Sequence, residues 1–135
     1  RDTSARRMSW FGNILSRRVS FSKQSMSNEW IVQVRSLRAT ELLAKDLISK
    51  LSDPYVVFMG PLLKEKYATE VVKKSLTPEW STKLPSMRLH VQSLQELMVT
   101  TLLLVVMDHD SFLHDDELGS CSIPLHHLIT DVRLN

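Results

Sequence analysis

Aspartates gather at two places in this 135-residue chain: Asp46 with Asp53, and Asp108, Asp110 and Asp116 in the run Asp108-His109-Asp110-Ser111-Phe112-Leu113-His114-Asp115-Asp116-Glu117-Leu118-Gly119. Each group abuts a run that reads as a β-strand. If those strand ends lie side by side, five carboxylates meet on one rim. Carboxylates that close repel one another and raise one another's pKa unless a cation joins them. A hard divalent ion held by oxygen atoms is the natural partner, and calcium accommodates this many carboxylates better than magnesium does.

The elements that must carry these groups follow from hydrophobic patterning. Trp30-Ile31-Val32-Gln33-Val34 alternates like a strand with one wet face, and Tyr55 to Met59 is a β-branched and aromatic run closed by the Gly60-Pro61 turn. Thr69 to Val72 continues the strand pattern until Pro78. Thr101 to Met107 is the most apolar stretch and reads as a central strand, and a last strand passes through Cys121 and Ile123 to Pro124. Leu125 to Ile129 reads as a helical turn. Short strands without a long amphipathic helix predict an all-β antiparallel sandwich.

Charge divides the chain unevenly. Residues 1–27 hold Arg1, Arg6, Arg7, Arg17, Arg18 and Lys23 against Asp2, six positive and one negative, so this Ser-rich arm carries +5 of an overall +2 and residues 28–135 carry −3. Within the arm, Trp10, Phe11, Ile14 and Leu15 share one face of a short helix, flanked by arginine pairs. Residues 17–24 read either as linker or as an edge strand through Val19 and Phe21. Cys121 is the single cysteine, so no internal disulfide forms, which fits a reducing compartment. No apolar run is long enough to span a bilayer and no secretory signal is recognisable.

Four landmarks in order resemble the C2 domain, the calcium-dependent, lipid-binding β-sandwich of synaptotagmins and protein kinase C: the opening strand with Leu37 to Leu43, then Ser52-Asp53-Pro54-Tyr55-Val56, then Leu76-Thr77-Pro78-Glu79-Trp80, then the Asp-x-Asp-x5-Asp loop with Leu118-Gly119. The resemblance implies an eight-stranded C2 sandwich over residues 28–135, short of one or two C-terminal strands, behind the basic N-terminal arm. It implies one or two calcium ions held by Asp46, Asp53, Asp108, Asp110 and Asp116 with the backbone carbonyls of Leu47 and His109; Asp115 is expected to be a solvated neighbour. Two departures bear on the ions. Asp46 and Asp53 are one residue further apart than in most calcium-binding relatives, with no glycine between them, and Leu113 stands where some relatives have a serine.

Leu47, Ile48, Phe112 and Leu113 would insert into the bilayer interface beside the rim. Lys64, Lys66, Lys73 and Lys74, with Arg6, Arg7, Arg17 and Arg18 of the arm, are the expected basic contacts to lipid. The strand positions where phosphoinositide-specific relatives carry lysine are Val57, Met59, Ala68 and Glu70 here, so no pocket for one phosphoinositide is expected, and Tyr55 and Trp80 are assigned to core packing. Ser9 and Ser20 follow Arg-Arg-x and are candidate phosphorylation sites that would weaken the arm's attraction to anionic lipid.

The expected function is calcium-dependent binding of anionic phospholipids such as phosphatidylserine, recruiting a larger protein reversibly to the cytosolic face of membranes in signalling or vesicle trafficking. The alternative is a calcium-independent module that binds protein or lipid. No phosphate-binding glycine loop, His-Glu-x-x-His or nucleophile elbow occurs, so no enzyme is expected here; catalysis, if any, belongs to another part of the polypeptide. No basic strand surface with interleaved aromatics suggests nucleic acid, and a protein partner is unidentified.

Overall fold

The computed structural model describes residues 9–10, 20–23, 29–40 and 52–129. Among them run β1 (Ser9–Trp10), β2 (Ser20–Lys23), β3 (Glu29–Gln33), β4 (Leu37–Thr40), β5 (Pro54–Met59), β6 (Tyr67–Ala68), β7 (Glu79–Trp80), β8 (Ser86–His90), α1 (Leu94–Val99), β9 (Thr101–Asp108), β10 (Asp116–Pro124) and α2 (Leu125–Ile129). Every pairing is antiparallel. One sheet has the order β10-β9-β5-β6, a second β2-β3-β8, and a short third β1-β4-β7. The all-β antiparallel sandwich is therefore as expected. Its strand segments outnumber eight because the two-residue pairings of β1 and β7 with β4 stand as separate elements.

Alternation explains how the sheets pack. Met87 and Leu89 of β8 are buried while Ser86, Arg88 and His90 face water, and Trp30 and Val32 do the same in β3. Val56 and Phe58 of β5 and Leu102, Leu104 and Val106 of β9 meet them in one core. β9 is central in its sheet, between β5 and β10; Leu102, Leu104 and Val106 face the core, and Val105 on its other face is buried as well. Cys121 lies half-buried against this core, where burial pushes its thiol up to about 12 and leaves it unreactive.

Three expectations change. The strand foreseen through Thr69 to Val72 stops at Ala68, because the Thr69 hydroxyl, not a backbone carbonyl, accepts the Val56 N–H at 2.9 Å while donating to the Glu70 carbonyl at 3.0 Å. The segment still tracks β5 through Thr69 N–H to Val56 O and Val72 N–H to Pro54 O, both 2.9 Å. Replacing Thr69 by the isosteric valine leaves the buried Val56 N–H without that acceptor, and we expect a loss of about 1–3 kcal/mol in a urea titration, with the m-value unchanged.

The second change concerns the arm. Ser9 and Trp10 are strand, not helix, and pair with Thr40 and Ala39; the rest of the amphipathic stretch lies outside the described residues. Of the two readings of residues 17–24, the strand holds: Ser20 to Lys23 pair with Gln33 to Trp30. Both candidate phosphorylation sites thus have strand backbone. Third, α1 is a helix where none was foreseen. It carries a capping box in which the Ser93 hydroxyl accepts the Glu96 N–H and the Glu96 carboxylate accepts the Gln92 N–H. α2 forms the helical turn expected at Leu125 to Ile129.

Candidate metal centre

Strand register brings the acidic groups together. Asp108 closes β9, facing Pro54 at the start of β5 on one side and Asp116 at the start of β10 on the other. Three strands therefore end at one level, with Asp53 one residue before β5. The ladder continues onto the rim, where the Asp53 N–H donates to Asp108 Oδ1 at 2.8 Å and the His109 N–H donates to the Asp53 carbonyl at 2.9 Å. Just below the rim the register of β10 shifts between Glu117 and Gly119, a bulge that leaves Leu118 buried.

Asp108 continues the inward phase of Leu102, Leu104 and Val106, so its carboxylate sits where the core meets water. Burial holds its pKa above the ordinary carboxylate value, and the charges of Asp53, Asp116 and Asp110 push it the same way against the opposing hydrogen bond from Asp53. That set of neighbours places four of the five predicted carboxylates within electrostatic reach of one another. Asp46, Leu47 and Ile48 lie outside the described residues.

Three of these carboxylates are aimed by backbone amides through one oxygen. Asp53 Oδ1 accepts the Lys74 N–H at 2.6 Å, Asp108 Oδ1 takes the Asp53 amide, and Asp110 Oδ1 takes the Phe112 and Leu113 amides at 2.8 and 3.1 Å. Among the described residues, no hydrogen bond engages their Oδ2 atoms. Among the described residues, no group of three His, Cys, Asp or Glu side chains stands close enough to hold an ion. Mutual repulsion disfavours closer approach of unneutralised carboxylates. The donor chemistry, all carboxylate and backbone oxygen, suits calcium; the histidines do not add a soft site, since His109 turns Nδ1 toward Asp115 at 3.5 Å and His114 is exposed.

Apolar and basic groups stand beside the rim. Phe112 and Leu113, at the tip of the loop from β9 to β10, are 95% and 77% exposed. The basic residues divide by position. Lys73 and Lys74 are exposed at the rim, where Lys74 adopts a left-handed φ of 52° that directs its N–H to Asp53. Lys64 and Lys66 lie beyond the opposite end of β5, with Lys64 4.0 Å from Glu29. Side chains of Arg6, Arg7, Arg17 and Arg18 lie outside the described residues. On the outer sheet face, Tyr55, Val57 and Met59 pair with Met107, Val105 and Leu103, so no basic residue occupies those strand positions.

Asp115 and Tyr55 depart from expectation. Asp115 is not a solvated bystander: its Oδ1 accepts the Asp110 N–H at 2.9 Å and its Oδ2 accepts the Tyr55 hydroxyl. These bonds hold its carboxyl below the ordinary value, while burial and Asp115 push the Tyr55 phenol up to about 12. Tyr55 has the outward phase of β5, whereas Trp80 is buried as expected and donates Nε1–H to the Glu70 carbonyl at 3.0 Å. The phase of Tyr55 between inward Pro54 and Val56 was the available signal.

Comparison with known proteins finds relatives over most of the chain. The C2 domain family profile matches residues 30–134. The chain is 34% identical to mouse (Mus musculus) synaptotagmin-7 over 110 residues, 81% of this chain and 26% of that protein. It is 35% identical to Protein C2-DOMAIN ABA-RELATED 4 of Arabidopsis thaliana over 109 residues, 77% of this chain and 52% of the relative. It thus spans from about a quarter to about half the length of these relatives. A C2 domain of RIM from Drosophila is similar in fold, with a TM-score of 0.59 at 20% identity over 84% of this chain and 87% of that one. A human GIVD cytosolic phospholipase A2 structure containing terbium chloride gives a TM-score of 0.59 at 25% identity, covering 74% of this chain and 14% of the phospholipase.

Proposed function

The chain belongs to the C2 domain family, and from that membership we propose that it is a peripheral module that docks on anionic phospholipid membranes in response to calcium. The observation that carries this reading is the shared level of Asp53, Asp108 and Asp116 at three strand ends, with Phe112 and Leu113 exposed on the adjoining loop. Asp53, Asp108, Asp110 and Asp116, with Asp46 and the carbonyls of Leu47 and His109, would hold one or two calcium ions, which supply positive charge and open positions for phosphate or carboxylate oxygens of lipids such as phosphatidylserine. Phe112 and Leu113, with Leu47 and Ile48, then enter the interface once the rim no longer repels anionic headgroups.

Lys73 and Lys74 add attraction of about 1 kcal/mol per cation near an anionic leaflet. Their position on a loop favours nonspecific attraction over recognition of one phosphoinositide. Arg6, Arg7, Arg17 and Arg18 of the arm are assigned the same role, Lys64 and Lys66 a weaker one from the far end of β5. Among the described residues no helix is long and apolar enough to cross a membrane, and the attachment we propose is reversible and at the cytosolic face. The module binds and does not catalyse; in the phospholipase it resembles, the matched part is 14% of the chain. We assign any catalytic or effector role, and any part in trafficking or signalling, to the longer polypeptide.

Cosedimentation with phosphatidylserine vesicles, in calcium or in chelator, tests the reading. Binding is expected only with calcium, reduced but not lost when salt is raised. Equal binding in chelator would replace it with calcium-independent docking.

A further inference from the structure

The loop from β9 to β10 is braced from a neighbouring strand. The Tyr55 hydroxyl, projecting from the outer face of β5, donates to Asp115 Oδ2 at the end of the loop. Asp115 Oδ1 reaches back to the Asp110 N–H near its start, 2.9 Å away. Asp110 Oδ1 then receives the Phe112 and Leu113 amides at 2.8 and 3.1 Å, shaping the tip. His109 packs edge-on against the Tyr55 ring, with centroids 6.3 Å apart, and places Nδ1 3.5 Å from Asp115 Oδ1. A continuous path of contacts therefore runs from β5, the strand that follows Asp53, through Asp115 to the carboxylate of Asp110 and to the apolar tip.

We propose that Tyr55 and Asp115 are positioning residues that hold the acidic loop from β9 to β10, without themselves touching the cation, in the shape that receives it. This rests on the calcium reading of the rim. Four flexible carboxylates must otherwise be ordered at the moment of binding, which weakens affinity, whereas a loop already braced starts near its bound shape. Asp115 suits the part because both its oxygens are engaged, Oδ1 by an amide and Oδ2 by a hydroxyl, and its neighbour Asp116, at the strand end facing Asp108, is free to bind. The brace also explains how Phe112 stands almost fully exposed on a short loop instead of folding back onto the apolar outer face of β5 and β9.

Tyr55→Phe removes one hydroxyl and no charge. In the calcium-free protein, hydrogen exchange at the Asp110, Phe112 and Leu113 amides should quicken by roughly tenfold, and the calcium concentration for half-maximal vesicle binding should rise roughly tenfold, the size expected for one hydrogen bond to a charged group. Maximal binding at saturating calcium should be unchanged. Asp115→Asn keeps the acceptor for Asp110 but cannot receive the phenol's proton if Nδ2 faces it, so its exchange should quicken too, even if its lost charge also lowers affinity. Because Tyr55→Phe alters no charge, its effect should be the same at low and high salt. Unchanged exchange in both variants overturns the brace, and so does quickened exchange with calcium affinity within twofold of wild type. A wild-type protein with no calcium response, but with exchange quickened by Tyr55→Phe, would sink the calcium reading and the positioning role while leaving the hydrogen-bonded path intact.

Discussion

Asp108→Asn combined with Asp110→Asn raises the melting temperature of the calcium-free protein and abolishes the further rise that calcium produces. Both directions follow from the rim. Without a cation, the half-buried Asp108 carboxylate faces the charges of Asp53, Asp110 and Asp116, and neutralising it removes a repulsion while its Oδ1 still accepts the Asp53 amide. With calcium at one hundred times Kd, the wild type gains about 2.7 kcal/mol, roughly 10 °C for a domain of this size; the double variant gains nothing. An equal calcium shift in both proteins, read by differential scanning fluorimetry, would remove Asp108 and Asp110 from the ligand set.

The same experiment has a pH dependence. The folded pKa of Asp108 is raised, so the cost of its charge is fully present above that value and disappears as pH falls through it. Asp115 is the opposite case. Its pKa is lowered, so its stabilisation is present above the unfolded value and is lost as pH falls through the folded one. Acidifying the calcium-free protein from neutrality should therefore stabilise it first and destabilise it at lower pH. The double variant should lose the first limb only. In excess calcium the first limb should reverse, because protons and the cation compete for the same oxygens.

Phe112→Ala with Leu113→Ala should cut vesicle binding at saturating calcium by at least about 100-fold, with stability and the calcium-induced shift in melting temperature unchanged. Full burial of each side chain contributes roughly 1.5–3 kcal/mol, and at 95% and 77% exposure neither has packing to lose in the free protein. Cosedimentation measures the first part and fluorimetry the second. A double variant that binds vesicles as tightly as the wild type would show that the tip stays in water. Membrane attachment would then rest on calcium-bridged headgroups and on the basic residues alone.

The rim was legible because register follows from hydrophobic pattern. The apolar run into Asp108 marks a central strand, the run after Asp53 marks its neighbour, and antiparallel pairing puts the two aspartates side by side. Asp116 joined them for the same reason from β10. The Tyr55–Asp115 contact was not legible, since nothing local to Asp115 indicates a partner sixty positions earlier in the chain. Only the outward phase of Tyr55 hinted at it. α1 was missed although Ser93 and Glu96 have capping-box spacing, because the helix is six residues long and shows too little of a turn's periodicity. β1 misled for the opposite reason: Trp10, Phe11, Ile14 and Leu15 fit a helical face, but backbone pairing with Thr40 and Ala39 decides the conformation at Ser9 and Trp10.

Those pairings give the N-terminal segment a mechanical character. Among the described residues, a pull applied at residue 1 meets two fastenings in series, the two-residue contact of β1 with β4 and the four-residue contact of β2 with β3. The shorter one has fewer bonds to share the load and yields first. Its release passes the load to β2, the strand that lies against the core-lining β3. Load on the N-terminal segment is thus taken in two steps, both on sheets other than the one that carries Asp108 and Asp116, so the aspartate rim keeps its shape while these fastenings give way.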